Sequence, residues 1–138
     1  MTDPLITFPD ARLAVRDLLR TLLAPRPEPV TVGVTVSTRD LPGSDDARPL
    51  PYIQVRTDAR FRDSRLNGRA TVRVLVWHRD EGLADELASL CEALLLTAST
   101  DVVRGCSPVM GPVPTGDPDT GLPLSFFTIT ARLRPTQH

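Results

Sequence analysis

The stretch RATVRVLVWHRDEGLADELASLCEALL, residues 69–95, constrains the fold of this chain more than any other. Its opening alternates: Ala70, Val72, Val74 and Val76 fall on one side, and Arg69, Thr71, Arg73, Leu75 and Trp77 on the other. That period of two predicts a β-strand, over 69–78, with one buried face. At Asp80 the period changes to that of a helix. Leu83, Leu87, Leu90 and Leu94 form a stripe, with Ala84, Ala88, Cys91 and Leu95 beside it. An apolar strand face and a wide apolar helix stripe, joined by a short polar link, both need burial. The segment therefore predicts a helix lying flat on a sheet, with Asp80 as its N-cap.

The same two periods recur on either side. TFPDARLAVRDLLRTLLAP places Ala11, Val15, Leu18, Leu19, Leu22 and Leu23 on one helical face. Thr7 with Asp10 reads as the helix start, and Pro25 ends it. VTVGVTVST (30–38) alternates through Val30, Val32, Val34 and Val36 and predicts a strand. YIQVRTD (52–58) predicts another, with Ile53 and Val55 on one side. Asn67-Gly68 is a tight-turn dipeptide, so 52–58 and 69–78 read as an antiparallel hairpin with a long, arginine-rich tip. DVVRGCSPVMGP is a weak, short strand, and LSFFTITARLR (124–134) is the last. There Ser125, Phe127, Ile129, Ala131 and Leu133 make the expected core face. The order α-β-β-β-α-β-β predicts an α+β two-layer sandwich: a mostly antiparallel sheet of four to five strands with two helices on one face. The other face, with Arg69, Arg73, Arg132 and Arg134, is expected to be polar or to meet a partner. Loops are expected at 39–51, 59–68 and 111–123.

At 138 residues the chain is read as a single domain, 1–138. A net charge of −1 carries no global signal for nucleic acid or membrane. No apolar run approaches the ~20 residues that span a bilayer. The start, MTDPLITFPDAR, lacks the basic and apolar regions of a signal peptide, which predicts a cytosolic site of synthesis and use. All 16 basic residues are arginine, as a GC-rich genome would produce.

Reactive residue types are sparse. The only histidines are His78 and His138, and the only cysteines Cys91 and Cys106. They supply neither a nucleophile–base pair nor the clustered ligands of a zinc site. No Walker A or G-x-G-x-x-G run occurs. GDPDTGLP, residues 116–123, begins like a calcium loop, with Asp117 and Asp119 two apart. It departs from that pattern at Gly121 and has no glutamate at the twelfth position, so it reads as a turn. Gly116 and Gly121 are its expected φ > 0 positions. Arg56, Arg60, Arg62, Arg65, Arg69 and Arg73 form the strongest local charge, broken by Asp58 and Asp63. Its two readings are a solvated hairpin and a surface for an acidic partner. No catalytic, cofactor-binding or metal-binding residue is expected. The expected contact residues are Arg60, Arg62, Arg65, Asp117 and Asp119.

Three stretches, in this order and spacing, resemble one family: DARLAVRDLLRTLL; the strand and helix of the opening segment; and GPVPTGDPDTGLPLSFFTITARLR. Together they are similar to the tail terminator, or tail completion, proteins of long-tailed bacteriophages, especially those of actinobacterial hosts. The resemblance implies a small α+β protein without enzymatic activity or cofactor. It implies a ring, six subunits in most members, that caps the finished tail tube at its head-proximal end. The implied partners are further copies of the chain, the major tail tube protein and the head–tail connector. Phage DNA would pass through the lumen without sequence-specific binding. The rival readings are a head–tail connector or neck protein of the same virion and a small bacterial ligand-binding module.

Overall fold

A computed structural model describes residues 3–43 and 48–138. The elements, in chain order, are β1 (Ile6–Thr7), α1 (Ala11–Leu23), β2 (Thr35–Ser37), β3 (Tyr52–Ser64), β4 (Asn67–Trp77), α2 (Glu81–Thr97), β5 (Val103–Gly116), β6 (Pro123–Leu133) and β7 (Thr136–Gln137). A five-stranded mixed sheet has the order β2-β3-β4-β6-β5, and β1 pairs with β7 in a separate two-stranded ribbon. Only the β2–β3 pair is parallel; β3–β4, β4–β6 and β5–β6 are antiparallel. The fold is an α+β sandwich, with α1 and α2 on one face of the sheet.

The core is where the two periods meet. Val72, Val74, Val76, Phe127, Ile129 and Ala131 from the sheet are fully buried against Val15, Leu19, Leu87, Cys91 and Leu95 from the helices. Each of these valine, leucine, isoleucine and phenylalanine side chains contributes about 1.5–3 kcal/mol on burial. The expected inward set on β6 is the set observed, including Ser125, whose hydroxyl meets Asp85 of α2 at 3.3 Å. Asp80 caps α2 by accepting from the Leu83 amide at 2.8 Å.

Several expectations are corrected. The strand expected over 30–38 is reduced to Thr35–Ser37. Pro29–Thr31 form a 3-10 turn instead, Gly33 takes φ 73°, and Val32 is 72% exposed. Proline starts that turn and glycine permits its left-handed exit, and together they override the valine alternation. Asp10, not Thr7, caps α1, accepting from the Arg12 amide at 2.9 Å, because Thr7 is drawn into the β1–β7 ribbon. The hairpin has no long tip: β3 runs to Ser64, the turn is at Arg65-Leu66, and Asn67 and Gly68 already belong to β4. The weak strand near 101–112 is a long edge strand, Val103–Gly116, so Gly116 lies in a strand and not in the following loop. Arg134 lies beyond β6 and donates to the Thr100 carbonyl at 2.7 Å instead of facing outward from the sheet. Of the loop expected at 39–51, residues 44–47 lie outside the described residues.

Candidate functional site

The expected contact residues occupy three different places. At the tip of the β3–β4 hairpin, Arg62 and Arg65 turn toward the chain's own N-terminal arm. Arg62 donates to the Ile6 carbonyl at 2.7 Å and stands over the Phe8 ring at 5.0 Å, and Arg65 donates to the Pro4 carbonyl at 2.8 Å. Gly68, opposite Arg62 in the hairpin, lets the Phe8 ring lie against the strand: a Cβ there would fall 2.7 Å from ring carbons. The ribbon of β1 with β7 and a hydrogen bond from the His138 amide to the Leu5 carbonyl fasten the arm from its other side. Arg62 and Arg65 are thus internal fasteners. Arg60 is exposed and has no acidic partner among the described residues.

Asp117 organises the turn between β5 and β6. Its carboxylate accepts from the Trp77 indole at 2.9 Å and from the Asp119 amide at 2.9 Å. Its backbone closes the loop: the Gly121 amide donates to its carbonyl at 2.7 Å, with Gly121 at φ 72°. Partial burial acts to raise the Asp117 pKa. The Trp77 indole, the Asp119 amide and the Thr120 donors outweigh it and hold the carboxyl below its usual 3.8. Asp119 is exposed beside it. The turn rests on a small apolar cluster of Tyr52, Trp77 and Leu124, on the sheet face away from the helices. Tyr52 closes the far side of that cluster by donating to the Arg39 carbonyl at 2.8 Å. Among the described residues, no group of three or more His, Cys, Asp or Glu side chains is placed to hold a metal ion.

The helix-free sheet face joins these places and was only partly legible. Register puts Arg56 directly opposite Arg73 and Arg69 directly opposite Arg132. Like charges in directly opposed cross-strand positions are destabilising unless compensated. Asp58 meets Arg73 at 3.1 Å, and Asp63 meets Arg69 at 2.9 Å. Phe61 lies under Arg69 at 4.3 Å, and Phe126 beside Arg73 at 5.8 Å. Arg56 and Arg132 are exposed, with no acidic partner among the described residues. Arg132 was identifiable from alternation, but its opposition to Arg69 depends on register between strands about 60 residues apart, which one sequence does not show.

The remaining reactive groups are built into the fold. His78 is buried; its ring contacts the Val30 carbonyl at 3.2 Å and accepts from the Arg79 amide at 2.8 Å. Burial pushes the Cys91 thiol up to about 12 and the Cys106 thiol up to about 11, the latter against the opposing pull of Arg132. Among the described residues, no helix is long and apolar enough to cross a membrane. Compared with known protein families and with curated protein sequences, the chain matches none.

Proposed function

We propose that this chain is a structural subunit of a long-tailed phage virion: a tail terminator whose ring caps the finished tail tube, stops its growth and offers the surface that joins the head connector. It acts by assembly and not by turnover. It takes no cofactor, works at the head-proximal end of the tail after assembly in the host cytoplasm, and lets DNA pass through the ring without reading its sequence. The order of its three resembling stretches supports this, as does an α+β fold of the expected kind. The observation that carries it is the open sheet face. Four arginines stand in two opposed pairs there, and among the described residues only two of them have an acidic partner. A face of that kind is suited to an oppositely charged protein surface. Electron microscopy of tails assembled with and without this protein tests the reading. The expected result is uniform tubes, each ending in a ring that contains it, and overlong uncapped tubes when it is omitted. Tubes of normal length with no such ring would refute it.

A further inference from the structure

Among the described residues, side chains of opposite sign are left without ion-pair partners on the two layers. The sheet side has Arg56 and Arg132, without acidic partners among the described residues. The helix side has α2, which carries Glu81, Asp85, Glu86 and Glu92 and no basic residue from Glu81 to Thr97. None of these four carboxylates is in an ion pair among the described residues. Among the described residues, only Asp85 of the four has a side-chain hydrogen bond, from Ser125, and Glu92 is half-buried without a partner; that burial pushes its carboxyl pKa up. At ~100° per residue, Glu81, Asp85 and Glu92 fall within about 40° around the helix axis and form one acidic row.

The two patches also match in spacing. Arg56 and Arg132 are two strands apart and offset by the interval from Arg73 to Arg69. With strands ~4.8 Å apart and ~3.3 Å of rise per residue, that is a separation of about 16 Å. Glu81 and Glu92 are separated along α2 by about 16 Å at ~1.5 Å per residue. With a net charge of −1, whole copies barely repel one another.

We propose that the acidic row of α2 on one copy docks on the arginine face of the next copy, a contact that rests on the ring reading above and identifies its two surfaces. Glu81 and Glu92 meet Arg56 and Arg132. The patches lie on different layers of the sandwich, and the proposed contact joins one of each. The contact is head-to-tail, the type that closes into rings when the rotation between neighbours allows it.

Two charge-reversed variants test this, Arg56→Glu/Arg132→Glu and Glu81→Arg/Glu92→Arg. Self-association is measured by sedimentation velocity at about 0.1 M salt and by ring counts in negative stain, with unchanged circular dichroism as the check on folding. Wild type is expected to assemble, and each variant to lose at least tenfold in association. An equimolar mixture of the two is expected to assemble again, since each then offers the partner that the other lacks. The neutral variants Arg56→Gln/Arg132→Gln and Glu81→Gln/Glu92→Gln should weaken association in the same direction, which keeps the test open if a reversed variant does not fold. Wild-type rings that both variants form equally well would overturn this contact and leave the ring reading intact. Failure of the folded mixture to recover would also overturn it, as would a sheet variant that assembles normally but no longer retains duplex DNA. Tails that end without a ring of this protein would instead refute the reading beneath it.

Discussion

Gly68→Ala should displace the N-terminal arm, and the structure sets the size of the effect. The added methyl would lie 2.7 Å from Cδ1 and Cγ of Phe8 and 2.8 Å from Cδ2. Ordinary carbon contacts are ~3.5–4.0 Å, so the ring must retreat by about 1 Å. It has little freedom to do so. The Arg62 guanidinium covers the ring, Ile6 and Thr7 are paired with Gln137 and Thr136, and Asp10 is engaged in capping α1. Overpacking of this kind costs about 1–3 kcal/mol. For a chain of this size the melting temperature should fall by roughly 3–10 °C. Thermal denaturation followed by circular dichroism, for wild type, Gly68→Ala, Phe8→Ala and the double variant, isolates the contact. With the ring absent the three nearest atoms to the new methyl are gone, and Gly68→Ala should be neutral or slightly stabilising through the unfolded chain. A coupling energy of about 1 kcal/mol or more is expected. Equal cost in both backgrounds, within the ~0.5 kcal/mol of ordinary additivity, would refute the reasoning.

Further outcomes concern Asp117 and the two cysteines. Because the folded Asp117 carboxyl lies below its usual 3.8, its contribution to stability is fully present above that pH and is lost as the pH falls toward the folded value. An acid titration of melting temperature should show this loss in wild type and a shallower one in Asp117→Asn; calcium, magnesium and EDTA should leave both unchanged, and a calcium-dependent rise in wild type would reveal a metal loop. Cys91→Ala should cost about 1 kcal/mol as a small core deletion, and with thiols raised to about 12 and about 11, neither Cys91 nor Cys106 should react with iodoacetamide at pH 8 until the protein unfolds, so rapid labelling of the native protein would contradict their burial.

Local pattern determined much of the architecture. The alternation of Val72, Val74 and Val76 and the helical period of α2 are decided by residues only two to four apart; the strand face is buried as expected, while on α2 the set Ala84, Ala88, Cys91 and Leu95 is buried with Leu87, and Leu83, Leu90 and Leu94 of the expected stripe are half-buried. The inward set on β6 and the Asp80 cap are local in the same sense. Whatever depended on distant partners was not legible. Thr7 reads as a helix start until β7 pairs with it from the other end of the chain. Arg62 and Arg65 read as free charges until the arm supplies carbonyls for them to bind. Asp117 reads as a turn aspartate, and only the structure brings the Trp77 indole, 40 residues away in sequence, to its carboxylate. The opposed arginine pairs arise because β4 lies between β3 and β6, a neighbour relation that no local period encodes. Periodicity says which side of an element is buried; only the tertiary structure decides which strands become neighbours, and hence which charges face each other and which remain for a partner.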